Sequence, residues 1–134
     1  MTGSTPAKRD ATNDAPGAPA ALGPYSQAVR AGSLLFLAGQ TPIDPATGKL
    51  VDGGVTEQTR QVFANLGAVL AARGLTFDDA VKCNVYLVDM ADFPAMNQVY
   101  AGVFDAPYPA RTTVAVAALP VNARVEIELV AEFR

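Results

Sequence analysis

From residue 25 onward the chain reads as short apolar runs with two distinct periods. Residues 25–30 and 34–38 flank Ala31-Gly32-Ser33 and predict a hairpin of two strands. Asp44-Pro45-Ala46-Thr47-Gly48 is turn chemistry, so residues 41–54 are expected to form a loop with at most a short extended piece. Over residues 55–73 the apolar positions Val62, Phe63, Leu66, Val69 and Leu70 recur at the three- and four-residue spacing of one helix face. Gly74 then stands where a left-handed residue ends a helix. Val81, Cys83, Val85 and Leu87 alternate with Lys82, Asn84 and Tyr86, which predicts a strand. Asp92 is placed to cap a second helix with Pro94 in its first turn and an apolar stripe of Phe93, Met96, Tyr100, Val103 and Phe104. Pro107 and Pro109 stop it, and two strands over residues 112–118 and 123–133 follow, joined by Pro120-Val121-Asn122.

The predicted order is β-β-α-β-α-β-β, an α+β domain with both helices on one face of the sheet. Residues 34–37, Leu-Leu-Phe-Leu, are apolar on both faces of their strand, and two helices cover only one. The other face therefore needs a partner subunit. Residues 1–20 contain no Leu, Ile, Val, Phe or Tyr and are rich in Ala, Pro, Gly, Ser and Thr, so they are expected to be a disordered tail before a domain spanning 21–134.

Composition narrows the chemistry. A net charge of −3 lacks the basic footprint of a nucleic-acid binder. No apolar run approaches the ~18 residues of a membrane span, and the tail carries no apolar core of a secretory signal. The single cysteine, Cys83, excludes an intramolecular disulfide and fits a reducing cytoplasm. Histidine is absent, which removes the commonest metal ligand and the usual base of a nucleophilic triad, so neither a metal nor a cofactor is expected.

Four side chains stand out against that background. Arg111, in Pro109-Ala110-Arg111-Thr112-Thr113, follows a rigid lead-in and suits either a two-point grip on a carboxylate or an ordinary surface ion pair. Glu126 and Glu128 share a strand face, which is either solvated or functional, with a carboxylate there able to orient water. Cys83 in mid-strand reads as a small buried hydrophobe. Tyr25 and Asn97 read as a core tyrosine and a solvent-facing helical asparagine, and Gly39 as a strand-ending turn or a point where a ligand approaches the backbone.

Gly23-Pro24-Tyr25-Ser26-Gln27, Gly39-Gln40, Asn97-Gln98-Val99-Tyr100, Pro109-Ala110-Arg111 and Leu119-Pro120 followed by Val125-Glu126-Ile127-Glu128 together resemble the RidA/YjgF family, in order and spacing, over residues 20–134. The resemblance implies a chorismate-mutase-like fold assembled as a homotrimer with sites between subunits. It also implies hydrolysis of 2-aminoacrylate, 2-iminobutanoate and 2-iminopropanoate to 2-keto acids and ammonia without a cofactor. By position, Arg111 would clamp the substrate carboxylate, Glu126 would hold the attacking water, and Tyr25, Gly39, Asn97 and Thr113 would shape the pocket. Ala38 stands where serine often precedes Gly-Gln, and Thr113 where cysteine often follows the arginine by two, which bears on substrate range. Thr113 still offers its backbone carbonyl to the imine nitrogen.

Overall fold

In the computed structural model, residues 8–134 are described. The elements are β1 (Asp10–Thr12), β2 (Ala28–Ala31), β3 (Leu34–Gln40), β4 (Ile43–Asp44), β5 (Lys49–Leu50), α1 (Val55–Ala71), β6 (Ala80–Leu87), α2 (Phe93–Val103), β7 (Ala110–Ala115) and β8 (Val125–Glu132). Six strands form one sheet in the order β1-β2-β3-β8-β6-β7, and β4 and β5 make a separate small hairpin. All neighbours run antiparallel except β6 and β7, the pair joined by α2. The last strand thus inserts between β3 and β6.

Alternation sets the two faces. Leu35, Leu37, Cys83, Val85, Leu87, Val125, Ile127, Leu129 and Ala131 are buried toward the helices. There they meet Val62, Phe63, Leu66, Val69 and Leu70 of α1 and Met96 and Tyr100 of α2, each large apolar side chain stabilising the fold by roughly 1.5–3 kcal/mol. Phe63, Phe77, Tyr100 and Phe104 interlock edge to face or tilted, with ring centroids 4.7–5.9 Å apart. On the opposite face Phe36 remains 47% exposed, and Val114 on the edge strand β7 is exposed as well. The expected uncovered face is present. Among the described residues no helix is long and apolar enough to cross a membrane.

The segment before residue 21 departs from the expected disordered tail. Its first seven residues lie outside the described residues, but from residue 8 the chain is part of the domain. Asp10–Thr12 pairs with Ala28–Arg30 through backbone hydrogen bonds, which need no large side chains and so leave no apolar signature. Gln27, buried, accepts the Ala15 N–H at 2.9 Å and donates to the Pro19 carbonyl at 2.7 Å, so one side chain organises the whole excursion between β1 and β2. Arg73 at the end of α1 grips Asp10 with two nitrogens, at 2.9 and 3.1 Å.

Asp92 also departs from expectation. Its side chain makes no capping bond; both its oxygens go to Arg124, at 2.8 and 3.0 Å, tying the start of α2 to the start of β8. Asp89 instead accepts the Ala91 N–H in the turn before the helix. Gly74 does adopt φ +73°, and Val121 and Asn122 are both left-handed, at φ 56° and 57°. For a β-branched residue such as Val121 that conformation is strained.

Candidate active site

Three buried polar residues of α1 and its surroundings position the loops that carry the candidate groups. Asn65 donates to the carbonyls of Thr41 and Ile43, at 3.2 and 2.9 Å, fixing the segment that leaves β3. Gln58 accepts the Arg124 N–H at 2.8 Å and holds the entry to β8. Gln27 does the same for the segment that presents Tyr25. These roles were invisible in the hydrophobic pattern, since each residue sits on or beside an otherwise apolar face.

The β3–β8 register slips between Leu37 and Gln40, where β3 has one residue more than its partner. Such a bulge re-aims side chains. Here it brings Gly39 against Glu126: a Cβ at residue 39 would overlap the Glu126 carboxylate. Glycine is therefore required by close approach rather than by turn geometry. Glu126 sits in a cleft of about 410 Å³ with Tyr25, Ala38, Gly39, Thr41 and Val121. Tyr25 is 54% exposed at its rim rather than a core tyrosine. Burial, and secondarily the charge of Glu128, pushes the Glu126 carboxyl above the ordinary carboxylate range. Glu128, by contrast, is engaged by the Tyr86 hydroxyl and by Asn84 at 3.3 Å, which gives it a structural place on the open face.

Arg111 lies elsewhere. It pairs in register with Cys83 and so projects to the helix side, whereas Glu126 pairs with Tyr86 and projects to the open side. Its Nη1 donates to Asn97 Oδ1 at 2.7 Å, and its guanidinium carbon lies 4.6 Å from the Tyr100 ring centroid and 5.3 Å from that of Phe93. Among the described residues no carboxylate lies within ion-pair distance of Arg111, although Arg73, Arg124 and Arg134 each have one. The surface ion pair is thus not what this arginine makes, and Asn97 faces the arginine rather than solvent. Arg111, Asn97, Tyr100, Tyr108 and Pro109 line a cleft of about 460 Å³ that shares no residue with the cleft of Glu126. Thr113, two residues on, points to the same side, and its hydroxyl is buried without a partner.

The six expected residues therefore form two groups in one chain: Arg111, Asn97 and Thr113, and Tyr25, Gly39 and Glu126. Since β6 lies between β7 and β8, the two strands are about 10 Å apart, and the groups use opposite sheet faces. Phe93 and Tyr100, neither of them named as a site residue from the sequence, turn out to flank the arginine. Their signal was their spacing from Asn97, four residues before it and three after it.

Because ionising Glu126 is disfavoured in the fold, it opposes stability as pH rises from the unfolded carboxyl value through its raised folded value. Glu126→Gln is accordingly expected to unfold at higher temperature than the parent at neutral pH, with the advantage shrinking as pH falls below the unfolded value. Thermal melts across pH check this; a variant no more stable at neutral pH would contradict it.

An α+β domain with two helices on one face of a mixed sheet is the fold of the RidA/L-PSP structures, one of which, from a Psychrobacter species, superposes with a TM-score of 0.87 at 43% identity, covering 91% of this chain and 98% of that one. Residues 15–133 match the family model described as Endoribonuclease L-PSP, and the chain belongs to this RidA/YjgF family. A RutC family protein of Pyrococcus horikoshii is 52% identical over 114 residues, covering 85% of this chain and 90% of the relative. A goat protein named 2-iminobutanoate/2-iminopropanoate deaminase is 49% identical over 114 residues, covering 85% and 83%. The crystal structure of Escherichia coli TdcF with bound serine superposes with a TM-score of 0.87 at 39% identity, covering 92% of this chain and 98% of that one.

Proposed function

We propose that the protein is a cytoplasmic, cofactor-free deaminase that hydrolyses 2-imino and 2-enamino acids, such as 2-aminoacrylate, 2-iminobutanoate and 2-iminopropanoate, to 2-keto acids and ammonia, working as a homotrimer. The observation that carries the reading is Arg111, a guanidinium held by Asn97 at a cleft and lacking a carboxylate partner among the described residues. It suits the carboxylate common to all these substrates. The deaminase name of the goat relative and the serine bound to the Escherichia coli relative, itself a small carboxylate, support the same substrate class. The family's description names an endoribonuclease, but a net charge of −3 and the lack of histidine favour a small metabolite over RNA.

In this reading Arg111 fixes the carboxylate and Glu126 accepts a proton as water adds to the electrophilic imine carbon. Returning that proton to the nitrogen gives a neutral carbinolamine; its hydroxyl proton then passes through Glu126 to the amino group, the carbon–nitrogen bond breaks, and ammonia leaves as the carbonyl forms. The Thr113 carbonyl receives the imine N–H, and Tyr25 and the backbone at Gly39 close the pocket. Placement and fixed charge supply the acceleration. For that to happen Arg111 of one copy must meet Glu126 of another, and the uncovered face around Phe36 offers the surface on which copies join.

Light scattering is expected to report three chains. The sharper test is complementation. Arg111→Ala and Glu126→Gln are each expected to lose activity, whereas mixed trimers purified through two different tags should recover about one third of wild-type turnover, since in either mixed composition one of the three interfaces carries both intact side chains. Absence of recovery in verified mixed trimers would rule out a site shared between copies.

A further inference from the structure

One stripe of α2 does more than pack. Phe93, Asn97 and Tyr100 follow one another at spacings of four and three, so they lie along a single helix face, and all three converge on the Arg111 guanidinium. Tyr100 and Phe93 approach it with their rings at 4.6 and 5.3 Å, while Asn97 takes one N–H at 2.7 Å. A guanidinium has five N–H donors, so this leaves four, including the whole Nε/Nη2 edge that a carboxylate can meet at two points.

The stripe is itself held at both ends. The two-point Asp92–Arg124 pair anchors the residue before Phe93 to β8. At the other end Tyr100 is 5% exposed and packs among Phe63 and Phe104. Its hydroxyl is buried beside the Cys83 thiol and, among the described residues, has no hydrogen-bond partner of ordinary geometry. An orphaned hydroxyl contributes nothing to folding through a hydrogen bond. What Tyr100 offers the site is its ring.

We infer that Phe93, Asn97 and Tyr100 are positioning residues that form a preorganised cradle for a guanidinium, fixing the plane in which Arg111 meets an anionic ligand. Asn97 acts on substrate through Arg111 and not by touching it. The inference rests on the proposed role of Arg111, but its principal test does not need the reaction.

If the cradle exists without the arginine, Arg111→Ala should bind free methylguanidinium in the millimolar range by NMR titration, and wild type should not. Binding should weaken about tenfold in Arg111→Ala/Tyr100→Leu and in Arg111→Ala/Asn97→Ala, and be retained in Arg111→Ala/Tyr100→Phe, which keeps the ring. In otherwise wild-type protein Asn97→Asp should raise KM for an imino acid more than Asn97→Ala does, because a carboxylate there competes for the guanidinium. A merely space-filling Asn97 would give the reverse order, since Asp is nearly isosteric. Equal methylguanidinium binding in all Arg111→Ala backgrounds, or no binding in any while circular dichroism shows them folded, would overturn the cradle. Binding as expected together with a wild-type protein inert toward imines would keep the cradle and reject the deaminase reading.

Discussion

Arg111→Ala is expected to abolish acceleration of 2-iminobutanoate hydrolysis while leaving the protein folded. Each charge-assisted bond to the carboxylate contributes about 1.5–3 kcal/mol, so losing both points of a two-point grip removes on the order of 10²–10⁴ in kcat/KM. Arg111→Lys should recover little, since an ammonium is a point charge and cannot present two parallel donors, nor lie flat between Tyr100 and Phe93. The fold should tolerate both changes, because the only hydrogen bond of the arginine side chain among the described residues is the one to Asn97 and its strand is at the sheet edge. The measurement is the disappearance of the imine made in situ by a threonine dehydratase, with semicarbazide as competing trap, alongside light scattering. A folded Arg111→Ala protein with the parental rate would end the carboxylate-clamp mechanism.

The second large effect concerns stability and reverses the reading of the sequence. A disordered tail over residues 1–20, as the sequence led one to expect, could be removed silently; given the fold its removal should be costly. The truncation deletes β1, the Asp10 partner of Arg73 and the buried Ala15. It also strips both partners from the buried Gln27 amide, and each unsatisfied buried polar group costs about 1–3 kcal/mol. A loss of several kcal/mol, read as a lower urea midpoint, is the expected result. Unchanged midpoint and slope would mean that the N-terminal segment contributes nothing.

That reversal shows where the sequence was readable and where it was not. Period-two alternation located the strands of residues 80–87 and 125–132, and the three–four spacing located the first helix, because burying one face forces those patterns. Gly74 announced its left-handed backbone. Asp10-Ala11-Thr12 announced nothing, since an edge strand is held by main-chain bonds and its side chains are small or polar. Sheet order was equally silent: the insertion of β8 between β3 and β6 depends on pairings between residues some ninety positions apart, such as Leu37 with Leu129. Asp92 carried a capping signature, yet a two-point grip from Arg124, in the turn just before β8, outcompeted the local bond. The motif residues were individually nameable; that Arg111 and Glu126 lie on opposite sheet faces follows only from which residues stand across from them.

The division of the site between the two sheet faces has a genetic consequence. If three copies close a ring, every chain lends its arginine to one site and its glutamate to another. A chain defective at both positions then disables both sites it joins, leaving one of the ring's three intact. Such an allele, expressed beside a normal one, would act as a partial dominant, whereas an allele that prevents assembly would be recessive.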